Sequence, residues 1–166
     1  VSSATANNGI GIAGVGYNAK LSPLKIFTTA GNASKNSYEA IQYAADNNYD
    51  IINLSWGSAN SYSRFNQDII NYAVLEKNVV ITAAAGNTGD EQQYFPASYD
   101  NVLSVASTDN DDRKANFSSY SKAVDISAPG YQIYSTQNNS TYARDNGTSH
   151  SAPMVAGVAA LVKHVF

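Results

Sequence analysis

The closing segment, Asn146–Phe166 (NGTSHSAPMVAGVAALVKHVF), constrains the fold of this chain more than any other stretch. Asn146-Gly147 is a turn dipeptide, Thr148 and Ser149 follow, and from Ala152 to Val165 almost every position is Ala, Val, Leu or Met. A helix that is apolar on all faces is buried all round rather than laid on a surface. Pro153 is tolerated only near the start of such a helix, where its missing N–H costs nothing. This places Ser149 at or just before the helix N-terminus, where free backbone N–H groups and the positive dipole end collect. Ser149 then has two readings: a helix cap, or a nucleophile whose developing negative charge those amides stabilise.

The chain has 166 residues, a single-domain length with room for a sizeable core. A hydrophobic share of 43% against 14% charged residues is a globular balance without the signature of disorder. A formal net charge of −3 and the lack of any basic run argue against nucleic acid or an acidic membrane as partner. With no cysteine, disulfides, Cys-ligated zinc and thiol catalysis are excluded. No signal peptide is recognisable, and Val1 is a poor natural start, so the sequence reads as cut from something longer.

Gly9-x-Gly11-x-x-Gly14 formally matches a dinucleotide fingerprint, but a polar segment precedes it and the strand-like Lys20–Phe27 follows it. The required strand-then-helix context is missing, and that reading is rejected. Further strands are expected at Asp50–Ser55, Val79–Ala85, Val102–Ser107 and Val124–Ala128, with a hairpin near Ile133 and Tyr142. Helices are expected at Ser37–Asn48 and Ser61–Lys77, the latter with an apolar face of Phe65, Ile69 and Ala73 beside Ile70 and Val74. Apolar strands without polar alternation, separated by helices, imply an α/β fold with a mostly parallel central sheet covered on both faces. Ligands of such sheets gather at the carboxyl ends of the strands. Three stretches end there in polar or glycine residues: Ser55-Trp56-Gly57, Gly86-Asn87 and the loop leading to Ser149.

An acyl-transfer serine needs a base and donors aimed at the oxyanion. Asn87 offers a side-chain amide donor and the Ser149 backbone N–H a second one; Asn87 as a plain turn asparagine is the other reading. Gly147-Thr148-Ser149-His150-Ser151 lacks the last glycine of the α/β-hydrolase elbow.

Five segments in order resemble the subtilisin-like serine proteases. They are Asn7–Val15 (the calcium loop of that family), Asn53–Gly57 (its substrate-binding strand), Ala83–Asn87 (its oxyanion segment), Asp125–Gly130, and Asn146–Leu161 with Gly147-Thr148-Ser149, Pro153 and Val155-Ala156-Gly157. The resemblance spans essentially the whole chain. It implies an incomplete three-layer α/β/α fold, residues 1–166 forming the central and serine-bearing part of a peptidase domain. It also implies a secreted serine endopeptidase acting on polypeptides, without nucleic-acid or membrane partners. Ser149 would attack the scissile carbonyl, with Asn87 and the Ser149 N–H on the oxyanion. Substrate would lie beside Ser55, Trp56 and Gly57, its first pocket, roomy and apolar, being lined near Ala83, Ala84, Ala85 and Gly86. Gly31 would flank the peptide on the other side. Trp56 would wall a more distal pocket, or simply pack under a loop.

The same resemblance implies structural calcium. The Asn8 side chain and the carbonyls of Ala6, Ile10 and Ile12 would hold one ion, with the remaining ligands outside this chain. A second, weaker cation site would use Asp125 with the carbonyls of Asp100 and Val102, although Asp125 reads equally as a solvated strand-end acid. Asp109–Asp112 lacks the glycine and terminal glutamate of an EF-hand and reads as an exposed turn. The resemblance also suggests a cis bond at Phe95-Pro96, against the default of a trans loop. Asn-x-Ser/Thr sequons at Asn53, Asn116 and Asn146 fall in strand or active-site segments and are poor glycosylation sites.

The family's catalytic Asp and His precede the calcium loop and so should lie before Val1. His150 is expected to point away along the helix, and His164 lies more than about 20 Å from Ser149 at the helical rise; neither replaces the missing base. The chain alone is therefore expected to be inactive, needing an N-terminal segment that carries Asp and His, either continuous with it or separate. A catalytically inactive binding or structural module of the same fold is the alternative. Without that segment an apolar face would be bare and the isolated chain prone to associate.

Overall fold

Four of the five apolar runs pair into one sheet. The computed structural model describes residues 1–27 and 36–165. In chain order the elements are α1 (Ser37–Asp46), β1 (Ile51–Leu54), β2 (Ser58–Ala59), α2 (Arg64–Asn71), β3 (Val80–Ala84), β4 (Tyr94–Phe95), β5 (Leu103–Thr108), β6 (Ile126–Pro129), β7 (Ile133–Gln137), β8 (Thr141–Asp145) and α3 (Thr148–Val165). Strands β1, β3, β5 and β6 lie side by side in that order, every neighbour parallel, with Ile51 opposite Val80 and Val105 opposite Ile126.

Both faces of this sheet are covered, which is why its strands carry no polar alternation. Alternate residues serve alternate layers. Ile81 and Ala83 of β3 join Leu54, Ile41 and Ala45 of α1, and Ile69 and Ile70 of α2 in one core. Ala84, from the other face, joins Val105 and Ala152 of α3. Ile41, Ile70 and Ile81 are fully buried, each contributing about 1.5–3 kcal/mol of transfer free energy. The result is the expected three-layer α/β/α arrangement, with α3 packed across β1, β3, β5 and β6. The expected hairpin is also present, β7 antiparallel to β8, and Phe95-Pro96 is cis.

Several expectations are corrected. Lys20–Ile26 forms no strand and only Phe27 makes a bridge. A strand exists only by pairing, and this segment stands across a groove of ≈ 1890 Å³ from the β1 edge, with Pro23 lacking a ladder donor. Helix α2 starts at Arg64 rather than Ser61 and passes at Tyr72–Glu76 into π-type turns, where the Lys77 N–H donates to the Tyr72 carbonyl. Phe65 is 71% exposed instead of facing the core. Tyr62, Phe95 and Tyr99, with ring centroids 4.7–5.7 Å apart, already fill the space beside the first turn of α2. Helix α3 begins at Thr148, so Pro153 lies in its second turn rather than its first.

Gly14 and Gly16 of the opening segment serve close packing of backbone on backbone. A Cβ on Gly157 would come within 2.8 Å of the Gly16 nitrogen, so the N-terminal segment crosses α3 backbone to backbone. The accessible surface is 9821 Å², against about 7900 Å² expected for a closed domain of 17.6 kDa. Val158, Leu161, Val162 and Val165 of α3 contribute to the excess. Among the described residues no helix is long and apolar enough to cross a membrane.

Candidate active site

Ser149 sits in the first turn of α3, where β1 and β3 deliver their carboxyl ends. Its position follows from the proline four residues on. In a helix the N–H of residue 153 would bond the carbonyl of Ser149, and Pro153 has no N–H to give. The freed carbonyl accepts instead from Ser55 Oγ, at 2.9 Å. Ser55 Oγ in turn accepts from Asn53 Nδ2 at 2.9 Å, and Asn53 Oδ1 accepts from Thr82 Oγ1 at 3.2 Å. A polar chain thus runs from the middle of the sheet to the backbone of the candidate nucleophile. The Ser149 hydroxyl donates to the Ser55 carbonyl at 3.4 Å.

Asn87 follows the end of β3. Its Oδ1 accepts from both the N–H and the hydroxyl of Thr148, each at 2.9 Å. These bonds fix the amide plane and leave Nδ2 free to face the serine side. Gly147 defines what lies between. A Cβ built there would stand 3.6 Å from the Ser149 nitrogen, 3.7 Å from Asn87 Nδ2 and 3.8 Å from Ser149 Cβ. Because residue 147 is glycine, that space is empty, and two N–H donors border it beside a serine. An oxygen anion is the ligand such a space suits.

Next to it is a cleft of ≈ 300 Å³, at the small end for ligand pockets. Trp56 and Tyr94 wall it, Ala84 and Gly86 line it, and Thr88 and Thr148 add hydroxyls. Gly86, at φ +111°, lies so close under Tyr94 that a Cβ would fall 2.4 Å from the ring. Trp56 meets Tyr38 edge to face with centroids 5.4 Å apart and also packs on the core; it both walls the cleft and supports it. Burial and the neighbouring Tyr99 raise the Tyr38 pKa far above the ordinary tyrosine range.

The Subtilase family (Peptidase_S8) matches residues 2–166. The chain belongs to that family. It is 42% identical to thermitase of Thermoactinomyces vulgaris over 163 residues, covering 98% of this chain and 58% of that protein. Against subtilisin Savinase of Lederbergia lenta it is 40% identical over 161 residues, covering 96% and 59%. Among solved structures, a protease from Pseudoalteromonas arctica PAMC 21717 superposes with a TM-score of 0.92 at 34% identity, over 98% of this chain and 56% of that one. The chain thus spans less than two thirds of each of these relatives.

Within this subtilase chain the structure brings Ser149, Asn87, Ser55, Trp56, Gly57, Ala84 and Gly86 to one cleft. Two expected lining residues are elsewhere: Ala83 points into the core shared with α1 and α2, and Ala85 is buried with its N–H on the Val105 carbonyl. Strand alternation decides this, since only every second residue faces the cleft. Gly31 lies outside the described residues. Thr88, Tyr94 and Thr148 were missed, and they make the cleft smaller and more polar than the roomy apolar pocket expected. His150 does not point along the helix: its Nε2 lies 3.5 Å from Asp145 Oδ2. His164 is exposed near the other end of α3.

In the loop expected to hold calcium, Asn7, Gly9 and Gly11 all adopt positive φ, alternating with Asn8 and Ile10. Asn8 Oδ1 accepts from the Ile10 N–H at 3.0 Å. Among the described residues the carbonyls of Ala6, Ile10 and Ile12 accept no hydrogen bond. This oxygen-only donor set fits a hard cation. No group of three acidic, His or Cys side chains lies together among the described residues, so the loop brings no carboxylate cluster of its own. At the other suggested cation site, Asp125 Oδ2 accepts from the Ser104 N–H at 2.8 Å, and the Asp100 carbonyl accepts from Gln67 Nε2 at 3.0 Å. Asp109 caps its own turn, accepting from the amides of Asp111 and Arg113, as expected of a plain exposed turn.

Proposed function

We propose that this chain is the serine-bearing part of a secreted endopeptidase, with Ser149 as nucleophile and Asn87 and the Ser149 N–H as oxyanion donors. The observation that carries the reading is the empty space at Gly147, bordered by both donors and by Ser149 Cβ. A peptide carbonyl oxygen placed there puts its carbon within reach of the Ser149 hydroxyl. The side chain before the scissile bond enters the cleft of Trp56, Gly86 and Tyr94, and the peptide backbone runs along Ser55–Gly57 by strand addition.

The base and the carboxylate that orients it come from a segment outside these residues. Neither histidine described above is placed to serve, His150 being turned to Asp145 and His164 standing far along α3. The groove beside the edge of β1 that pairs with nothing among the described residues is where such a segment would add a strand, and the exposed apolar face of α3 is consistent with further covering. Residues 1–166 alone then hydrolyse no peptide at a useful rate. A calcium ion on the Asn8 side chain and the carbonyls of Ala6, Ile10 and Ile12 would stiffen the opening loop. A weaker cation at Asp125 with the carbonyls of Asp100 and Val102 belongs to the same proposal, each engaged oxygen there having a second lone pair.

The test compares the full-length protein with its Ser149→Ala and Asn87→Ala variants, using a fluorophosphonate probe and a quenched peptide. The wild type should label and cleave, Ser149→Ala should do neither, and Asn87→Ala should lose about 10²–10³ in turnover, the magnitude known for the oxyanion asparagine of a subtilisin. Hydrolysis by residues 1–166 alone that disappears in Ser149→Ala would overturn the claim of dependence on an outside base.

A further inference from the structure

We propose that Asp145 and His150 form a charge-selecting element that favours peptides with Lys or Arg immediately after the scissile bond. The inference rests on the peptidase reading above. Strand β8 ends at Asp145, just before the Asn146-Gly147 turn, and His150 follows Ser149 in the first turn of α3, so the pair brackets the candidate nucleophile. His150 Nε2 and Asp145 Oδ2 are 3.5 Å apart, with the imidazole 19% and the carboxylate side chain 60% exposed.

Neither residue lines the cleft of Trp56 and Tyr94. With the carbonyl oxygen between Asn87 and the Ser149 N–H and the preceding side chain in that cleft, the peptide must continue on the other side of Ser149, toward the end of β8. The first side chain on that side meets the Asp145 carboxylate. Its Oδ1 is held by the Asn146 N–H at 2.8 Å, so the charge does not swing away. The neighbouring cation is committed elsewhere: Arg144 lies 5.8 Å over the Tyr134 ring and donates to the Gln132 carbonyl at 2.9 Å. Among the described residues His150 is the only ion-pair partner of Asp145.

The carboxylate is the more exposed member of the pair, so a cationic side chain can reach it while an anionic one is repelled.

The experiment measures kcat/KM of the full-length protein on matched peptides carrying Lys, Ala or Glu directly after the scissile bond. Lys should exceed Ala by about threefold, the scale of a partly exposed ion pair, and Glu should fall below Ala. Asp145→Asn should bring the three together, while His150→Gln should keep the Lys preference. Thermal unfolding of each variant checks that it folds, and the wild-type substrate series needs no variant. Ser149-dependent cleavage indifferent to charge, or a preference unchanged in Asp145→Asn, overturns this inference alone. Absence of any Ser149-dependent cleavage overturns the peptidase reading and this inference with it.

Discussion

Replacing Ser55 by alanine should expose how Pro153 and Ser55 jointly hold the candidate nucleophile. The Ser55 hydroxyl donates to the Ser149 carbonyl, which Pro153 cannot bond. Removing the hydroxyl leaves a partly buried carbonyl without a partner, a loss of about 1–2 kcal/mol in stability. Asn53 also loses an acceptor, but that side chain is exposed and water replaces the bond at little cost. In a Pro153→Ala background the backbone gains an N–H four residues beyond Ser149, and this new donor can take over the Ser149 carbonyl. Ser55→Ala should then cost about 1 kcal/mol less than in the wild type. The general effects of Pro153→Ala on chain stiffness cancel in the cycle, which isolates this one coupling. The assay is unfolding of the four full-length proteins, with the rate of phosphonylation at Ser149 as a second readout. The same 1 kcal/mol corresponds to about fivefold in rate. Additivity within about 0.3 kcal/mol would refute the reasoning, since it would mean that the carbonyl does not depend on Ser55.

Two further outcomes follow from the cleft and its support. Gly86→Ala combines a positive φ with a Cβ 2.4 Å from the Tyr94 ring and should cost about 2–4 kcal/mol in denaturant unfolding; a loss below about 0.5 kcal/mol would mean that the ring yields freely. Tyr38 is held protonated in the fold, by burial first and by Tyr99 second, while in the unfolded chain it ionises near 10.0. A pKa raised by folding contributes stability that is whole below the unfolded value and drains as pH climbs past it. Unfolding should become easier above about pH 10, and Tyr38→Phe should flatten that slope; an unchanged slope in the variant would assign it to other groups.

The layers and the outline of the site were legible in the sequence because they rest on local chemistry. Unbroken apolar runs such as Val79–Ala85 signal a sheet covered on both faces, and Ser149, Asn87 and Ser55–Gly57 stand at strand or helix ends where the fold must gather them. Less legible was whatever depends on a distant neighbour. Lys20–Ile26 has the composition of a strand but pairs with no strand among the described residues. Phe65 fits a helical face, yet aromatic rings from Tyr62 and Tyr99 occupy the place it would take. Thr88 lies in a polar loop and Tyr94 in the two-residue strand β4, too short for any periodicity, so nothing local marks them as walls of the cleft. The tie between Ser55 and Ser149 did have a signal, a proline four residues after the serine, but only the early start of α3 gives that spacing its meaning.

The strands of the main sheet stand in space in the same order as in the chain, β1, β3, β5, β6. A growing polypeptide can therefore extend the sheet in one direction, each new strand docking on the one made just before it, with no need to reopen a finished pair. Helix α3 comes last and spans all four strands. Until it lands, one face of the sheet is bare, Asn87 has no Thr148 to orient it and Ser149 has no Ser55 to meet. In that order the setting of Ser149 is completed last, since it needs α3 together with the ends of β1 and β3.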